Sequence, residues 1–128
     1  MSNAIVYKIV EAAGSGTLHY YIPVPVLSSL KEIRLVGNAT STAHNDNHAI
    51  LTFKGNDHAT VLATRSTDAN GGGSTITGGT LENLGILNDE KAVYTTAQTA
   101  MVTVVQAGSG VALDLTLLCM FDPARLQA

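Results

Sequence analysis

The sequence predicts an all-β domain, a two-sheet sandwich of jelly-roll or Greek-key type. Three observations predict it. Apolar residues recur at every second position along much of the chain, the period that sends alternate side chains to opposite faces of a strand. Turn-forming Gly, Asn and Asp interrupt those stretches at short intervals. No stretch sustains the three-to-four spacing of an amphipathic helix. The 128 residues fit one domain, spanning 1–128, and roughly seven to nine short strands in that length need two facing sheets or a small barrel. An eight-stranded jelly roll is the first choice.

In residues 5–10, Ile5, Tyr7 and Ile9 share one face and Val6, Lys8 and Val10 the other. Gly14-Ser15-Gly16 turns the chain into an extended segment over 17–26. Pro23 and Pro25 within it are two residues apart, so both missing N–H donors fall on one side. That marks an edge strand whose outer side resists further pairing. Ser29 and Glu32 have capping-box spacing and predict one helical turn over 28–32, followed by a strand over 32–36. Residues 38–47 form a polar loop. Two strands follow, 48–54 and 60–65, separated by the turn Gly55-Asn56-Asp57. Residues 66–80, with Gly71-Gly72-Gly73, read as a long flexible loop. Short strands are expected within 81–87 and 93–96. The chain ends in two strong strands, 100–106 and 111–121, which look like a hairpin across Gly108-Ser109-Gly110. In the last, Val111, Leu113, Leu115, Leu117, Cys119 and Phe121 make one unbroken apolar face. The opposite face starts with Ala112, Asp114 and Thr116 and turns apolar at Leu118 and Met120.

Composition narrows the function. Hydrophobic residues make up 45% of the chain and charged residues only 13%, about half the usual share. Seven Lys and Arg are spread singly and the net charge is -3. Neither a nucleic acid backbone nor a membrane surface finds a basic cluster to bind. No apolar run approaches the roughly 20 residues of a membrane-spanning helix, and no secretion signal is expected. The single cysteine, Cys119, excludes an internal disulfide and reads as a buried, inert thiol.

Chemical constellations are sparse. His44, Asp46 and His48, with His58 nearby in sequence, offer N and O donors but match no zinc or calcium spacing. The Gly-rich turns precede no Lys-Ser/Thr pair of a phosphate loop. No Gly-x-Ser-x-Gly elbow occurs. Asp89 and Glu90 are adjacent, so an extended chain points them apart. A chain without Trp is poor in the aromatic platforms of sugar-binding sandwiches. No catalytic residue, cofactor or metal is expected, and the chain is read as a non-enzyme.

The overall texture has short β segments, abundant Thr, Ala and Gly, and little charge. A late run, Tyr94-Thr95-Thr96-Ala97, leads into Val102-Thr103-Val104-Val105. In these respects it resembles the small decoration, or cement, proteins of tailed bacteriophage capsids. That resemblance implies a non-enzymatic homo-oligomer, dimer or trimer, made in the host cytoplasm and placed on the virion surface. Its partner would be the major capsid protein. The residues expected at the protein interface are Leu118, Met120, Arg125 and Leu126. Alternatives are another virion β module of a tail or fibre, a small ligand- or carbohydrate-binding sandwich, or an enzyme of unfamiliar type.

Overall fold

Alternation becomes architecture most directly in the final strand, where Leu113, Leu115, Leu117, Cys119 and Phe121 are each at most 1% exposed. Leu118 and Met120, on its other face, are half-buried. The computed structural model describes residues 3–25, 27–86, 90–95 and 98–123. Its strands are β1 (Asn3–Glu11), β2 (Thr17–Pro23), β3 (Ser28–Gly37), β4 (His48–Lys54), β5 (Val61–Ser66), β6 (Leu81–Asn83), β7 (Val93–Tyr94), β8 (Thr99–Ala107) and β9 (Leu113–Pro123). A 3-10 turn, Glu90–Ala92, precedes β7.

The strands form two antiparallel sheets. The first runs β1-β9-β3-β6, with β7 also pairing β3, and the second runs β2-β8-β4-β5. Consecutive strands β1 and β2, and again β8 and β9, lie in opposite sheets, which is the double Greek-key wiring of a jelly roll. The expected final hairpin is therefore corrected: the turn at 108–110 carries the chain across the sandwich. Gly110 makes this possible, since its φ is 69°, and an added Cβ would collide with the Gln106 amide oxygen and the Gly14 nitrogen.

Inward-facing residues of both sheets share one core, with Ile9, Ile33, Leu35, Leu115 and Leu117 meeting Ile22, Leu51, Leu62, Val102 and Val104. Tyr94 and Phe121 close one side of it, ring centroids 6.1 Å apart in an edge-on arrangement. β2 is an edge strand, as its prolines predict. The Gly16 carbonyl accepts from Gln106 N at 3.0 Å, so alternation turns the nitrogen of Pro23 away from β8.

Two further expectations are corrected. Residues 28–32 form no helical turn: β3 runs straight through them, paired to β9 from Ser28 to Gly37 with a bulge between Leu30 and Glu32. The extra residue resets the parity, so Leu30 and Ile33 both reach the core while Lys31 stays in solvent. Tertiary pairing overrides a local capping signal. Nor is the 66–80 segment a free loop. Ser41 and Ile76 exchange backbone hydrogen bonds at 2.8 and 2.9 Å, and Gly79 N donates to Gly37 O at 2.7 Å. Ile76, 1% exposed, is part of the core.

Arg65 fastens the same segment. Its Nε and one terminal nitrogen fork onto the Glu82 carboxylate at 2.6 and 3.1 Å, while its remaining donors reach the carbonyls of Ser66, Ser74 and Thr75. A guanidinium has five N–H donors, and all are engaged.

Candidate functional site

The outer face of the first sheet carries several strongly exposed apolar side chains. The β1–β9–β3 register sets its rows. Ala4, Met120 and Glu32 lie abreast; Val6, Leu118 and Arg34 form the next row; Lys8, Thr116 and Val36 the next. Leu81 extends that last row from β6. Val6 is 65% exposed, Val10 63% and Leu81 54%. Two ion pairs are set among these apolar side chains. Arg34 meets Glu32 at 2.6 Å, and Lys8 reaches Asp114 at 3.9 Å. The face is therefore apolar with balanced charge.

Of the expected interface residues, Leu118 and Met120 occupy the middle of this face, on its central strand. Sequence reasoning took them as the end of one strand. It missed Val6, Val10 and Leu81, because alternation alone does not say which of two faces is covered. Arg125 and Leu126 lie outside the described residues.

The histidines do not come together. His19 Nδ1 lies 3.0 Å from the Thr103 hydroxyl. His44 Nδ1 accepts from the backbone of Asp46 and Asn47, each at 3.0 Å, and so caps its own turn. His58 has a φ of 55°, a region His enters more readily than most residues. Its Nε2–H donates to the Thr99 carbonyl at 2.9 Å, and its ring leans on Tyr21 at 5.6 Å. His48 Nδ1 is buried without a hydrogen bond, 3.7 Å from an Asp68 carboxylate oxygen. Among the described residues no three metal-ligating side chains gather. Glu90 can be described by its backbone only, and Asp89 lies outside the described residues.

An open polar depression of about 400 Å³ lies between Arg65, Glu82 and the turn at 71–74. Its one cation is Arg65, whose donors are already taken. An anion entering there would have to displace Glu82 or three carbonyls. The depression is the surface of a structural clamp. Tyr21, 51% exposed, presents an aromatic surface on the second sheet, but His58 rests against it.

Cys119 is shielded throughout: burial pushes its thiol up to about 12, so it stays protonated and unreactive at neutral pH.

No known protein family matches the sequence, and no curated protein does. Several solved structures are similar in fold. One is infectious bursal disease virus, Gx strain, at 17% identity and a TM-score of 0.48, covering 96% of this chain and 32% of that one. Desmodium yellow mottle tymovirus matches at 12% identity and a TM-score of 0.41, covering 100% of this chain and 90% of that one. A family two carbohydrate esterase from Cellvibrio japonicus matches at 12% identity and a TM-score of 0.33, covering 98% and 37%. The chain thus spans about a third of the first of these.

Proposed function

We propose that this chain is a non-enzymatic structural protein of a virion, which decorates and reinforces a phage capsid shell through protein–protein contacts. The observation that carries the reading is the outer face of the first sheet, where half-buried Leu118 and Met120 are flanked by strongly exposed Val6, Val10 and Leu81. An exposed apolar face with few unpaired charges marks a protein contact. The jelly roll itself serves capsid domains, lectins and cupins alike, so the surface and not the fold argues the role.

Charge chemistry supports the same reading. Only 13% of residues are charged, and Glu32, Arg34, Lys8 and Asp114 on this face are already paired, so covering it strips few isolated ions of water. The partner is the major capsid protein, presented at many symmetric positions. Repetition lets modest contacts sum through effective concentration. Leu118 and Met120 lie at the centre of the contact; Arg125 and Leu126 add to it from the end of the chain.

The test is co-sedimentation of purified protein with assembled shells that lack it. Saturable binding at a fixed ratio to shell subunits is expected. Leu118→Ser with Met120→Ser should weaken it by about a hundredfold, the order expected from losing two central apolar contacts. Failure to bind every shell tested, or full binding by the double variant, overturns the proposal.

A further inference from the structure

The sandwich has four sheet edges among the described residues, and three of them are short or interrupted. β2 turns the nitrogen of Pro23 outward. β5 is short and bulged against β4, and Ser74 N covers its end by donating to Ser66 O. β6 is only three residues long. β1 differs. It pairs with β9 without a break from Asn3 to Glu11 and contains no proline.

Its free side can be read residue by residue. Asn38 N donates to Asp114 O at 2.8 Å, so the backbone of Asp114 faces β3. Alternation then turns Leu113, Leu115, Leu117, Cys119 and Phe121 towards β1. Their register partners Glu11, Ile9, Tyr7, Ile5 and Asn3 face back. The N–H and C=O groups of Ala4, Val6, Lys8 and Val10 therefore point out of the sheet, and no described residue bonds to them. The side chains of these same residues stand exposed on the outer face. Lysine on an edge ordinarily guards it. Here the Lys8 ammonium leans inward across the sheet to Asp114 on β9.

We infer that β1 is the interface between two copies of this chain, which join their first sheets edge to edge across a two-fold axis. A strand edge is self-complementary under such an axis, because an antiparallel copy presents donors to its acceptors. The register follows from the same residues. Centring the axis on Tyr7 pairs Val6 with Lys8 and Ala4 with Val10, and it alone pairs the four outward-facing residues with one another. Centring on Val6 sets Val10 against residue 2, outside the described residues. Centring on Lys8 sets two ammonium groups against each other and leaves Ala4 unpaired. The pairing sets Val6 beside Lys8 and Val10 beside Ala4 of the other copy and fuses two apolar faces into one continuous surface. This deepens the reading of the chain as an assembly component, and it is decided in solution, with no shell present.

The experiment is sedimentation equilibrium of the full chain and two variants at a highly exposed position, Val6→Lys and Val6→Glu. Circular dichroism checks that each folds. The wild type should be a dimer. In the Tyr7-centred register residue 6 faces Lys8 of the other copy, so Val6→Lys should raise the dissociation constant by roughly tenfold and Val6→Glu should lower it. A monomeric wild type, or equal effects of the two variants, overturns the inference. Dimers that form as described but ignore every shell leave the edge pairing standing and remove the capsid role instead.

Discussion

The Gln106 amide nitrogen donates to Glu11 at 2.9 Å, joining strands from opposite sheets through two polar side chains that are 9% and 4% exposed. Tyr20 donates to the other Glu11 oxygen at 2.6 Å. The Gln106 carbonyl oxygen accepts from Gly14 N at 2.8 Å and Val111 N at 3.1 Å. One side chain thus ties together two of the connections that cross between the sheets, those from β1 to β2 and from β8 to β9. Replacing it strands buried Glu11 and frees the Gly14 and Val111 nitrogens at once. Gln106→Leu should cost about 3–5 kcal/mol, summing orphaned groups at roughly 1–3 kcal/mol each. Tyr20→Phe, which leaves one carboxylate oxygen short, should cost about 1–2 kcal/mol. Urea denaturation of both variants measures the difference, and equal costs would show that Gln106 is not the hub.

Tyr94 makes the opposite case. It is fully buried, and its hydroxyl finds no partner among the described residues. Removing a polar group that is poorly satisfied is neutral or stabilising. Tyr94→Phe should therefore leave the melting temperature unchanged or raise it, while Tyr94→Ala should lose about 3–5 kcal/mol by opening a cavity beside Phe121. A clear loss of stability in Tyr94→Phe would mean that the hydroxyl is bonded after all.

Alkaline pH should weaken the fold within a definable window. Burial pushes Cys119 from 9.0 up to about 12. Tyr94 rises from 10.0 to about 12, mainly by burial, with the nearby Cys119 and Asp57 charges adding to it. Tyr20 is raised by burial and then by its bond to Glu11. For groups with raised values the folded state holds its protons longer than the unfolded chain. Their contribution is complete below the ordinary values and is lost as pH climbs through the folded ones. Melting temperature should be level up to about pH 9 and fall steadily towards pH 12. Cys119→Val, close in volume, should flatten the first part of that fall. An unchanged profile in this variant would exclude the thiol as a cause.

Arg65 should not tolerate lysine. An ammonium has three donors and no planar fork, so Arg65→Lys cannot hold Glu82 and three carbonyls together. A loss of about 2–3 kcal/mol is expected, the order for hydrogen bonds to a charged group at a mostly buried site. Hydrogen exchange should also quicken locally, at the amides of Ser74 and Ile76. Uniform quickening across both sheets would show a global role instead.

The sequence made the strands legible wherever one face was fully buried. β4 and β9 are places where alternation and burial coincide. The Pro23 edge was readable because a missing donor is a chemical fact about one residue. What was not readable depended on distant partners. The bulge at Lys31 exists because β9 pairs all along β3. The fastening of 66–80 depends on Ser41 and Glu82, distant in sequence and bonded through backbone and guanidinium. Local composition, rich in Gly and Ser, signalled looseness there. Of the candidate contact face, Leu118 and Met120 stood out as apolar residues in polar phase. Val6 and Val10 did not, since nothing local reveals that β1 lies beside the last strand.

That adjacency has a consequence for the making of the protein. A polypeptide leaves the ribosome amino end first, and β1 has no described strand partner but β9. β1 must wait, unpaired, until β9 (Leu113–Pro123) has been synthesised. Non-local pairing of this kind makes for slow folding, and during the delay both edges of β1 are open to strangers. The interval between translation and closure is therefore the protein's most vulnerable moment. Early truncations should surface as aggregates and not as smaller folded domains.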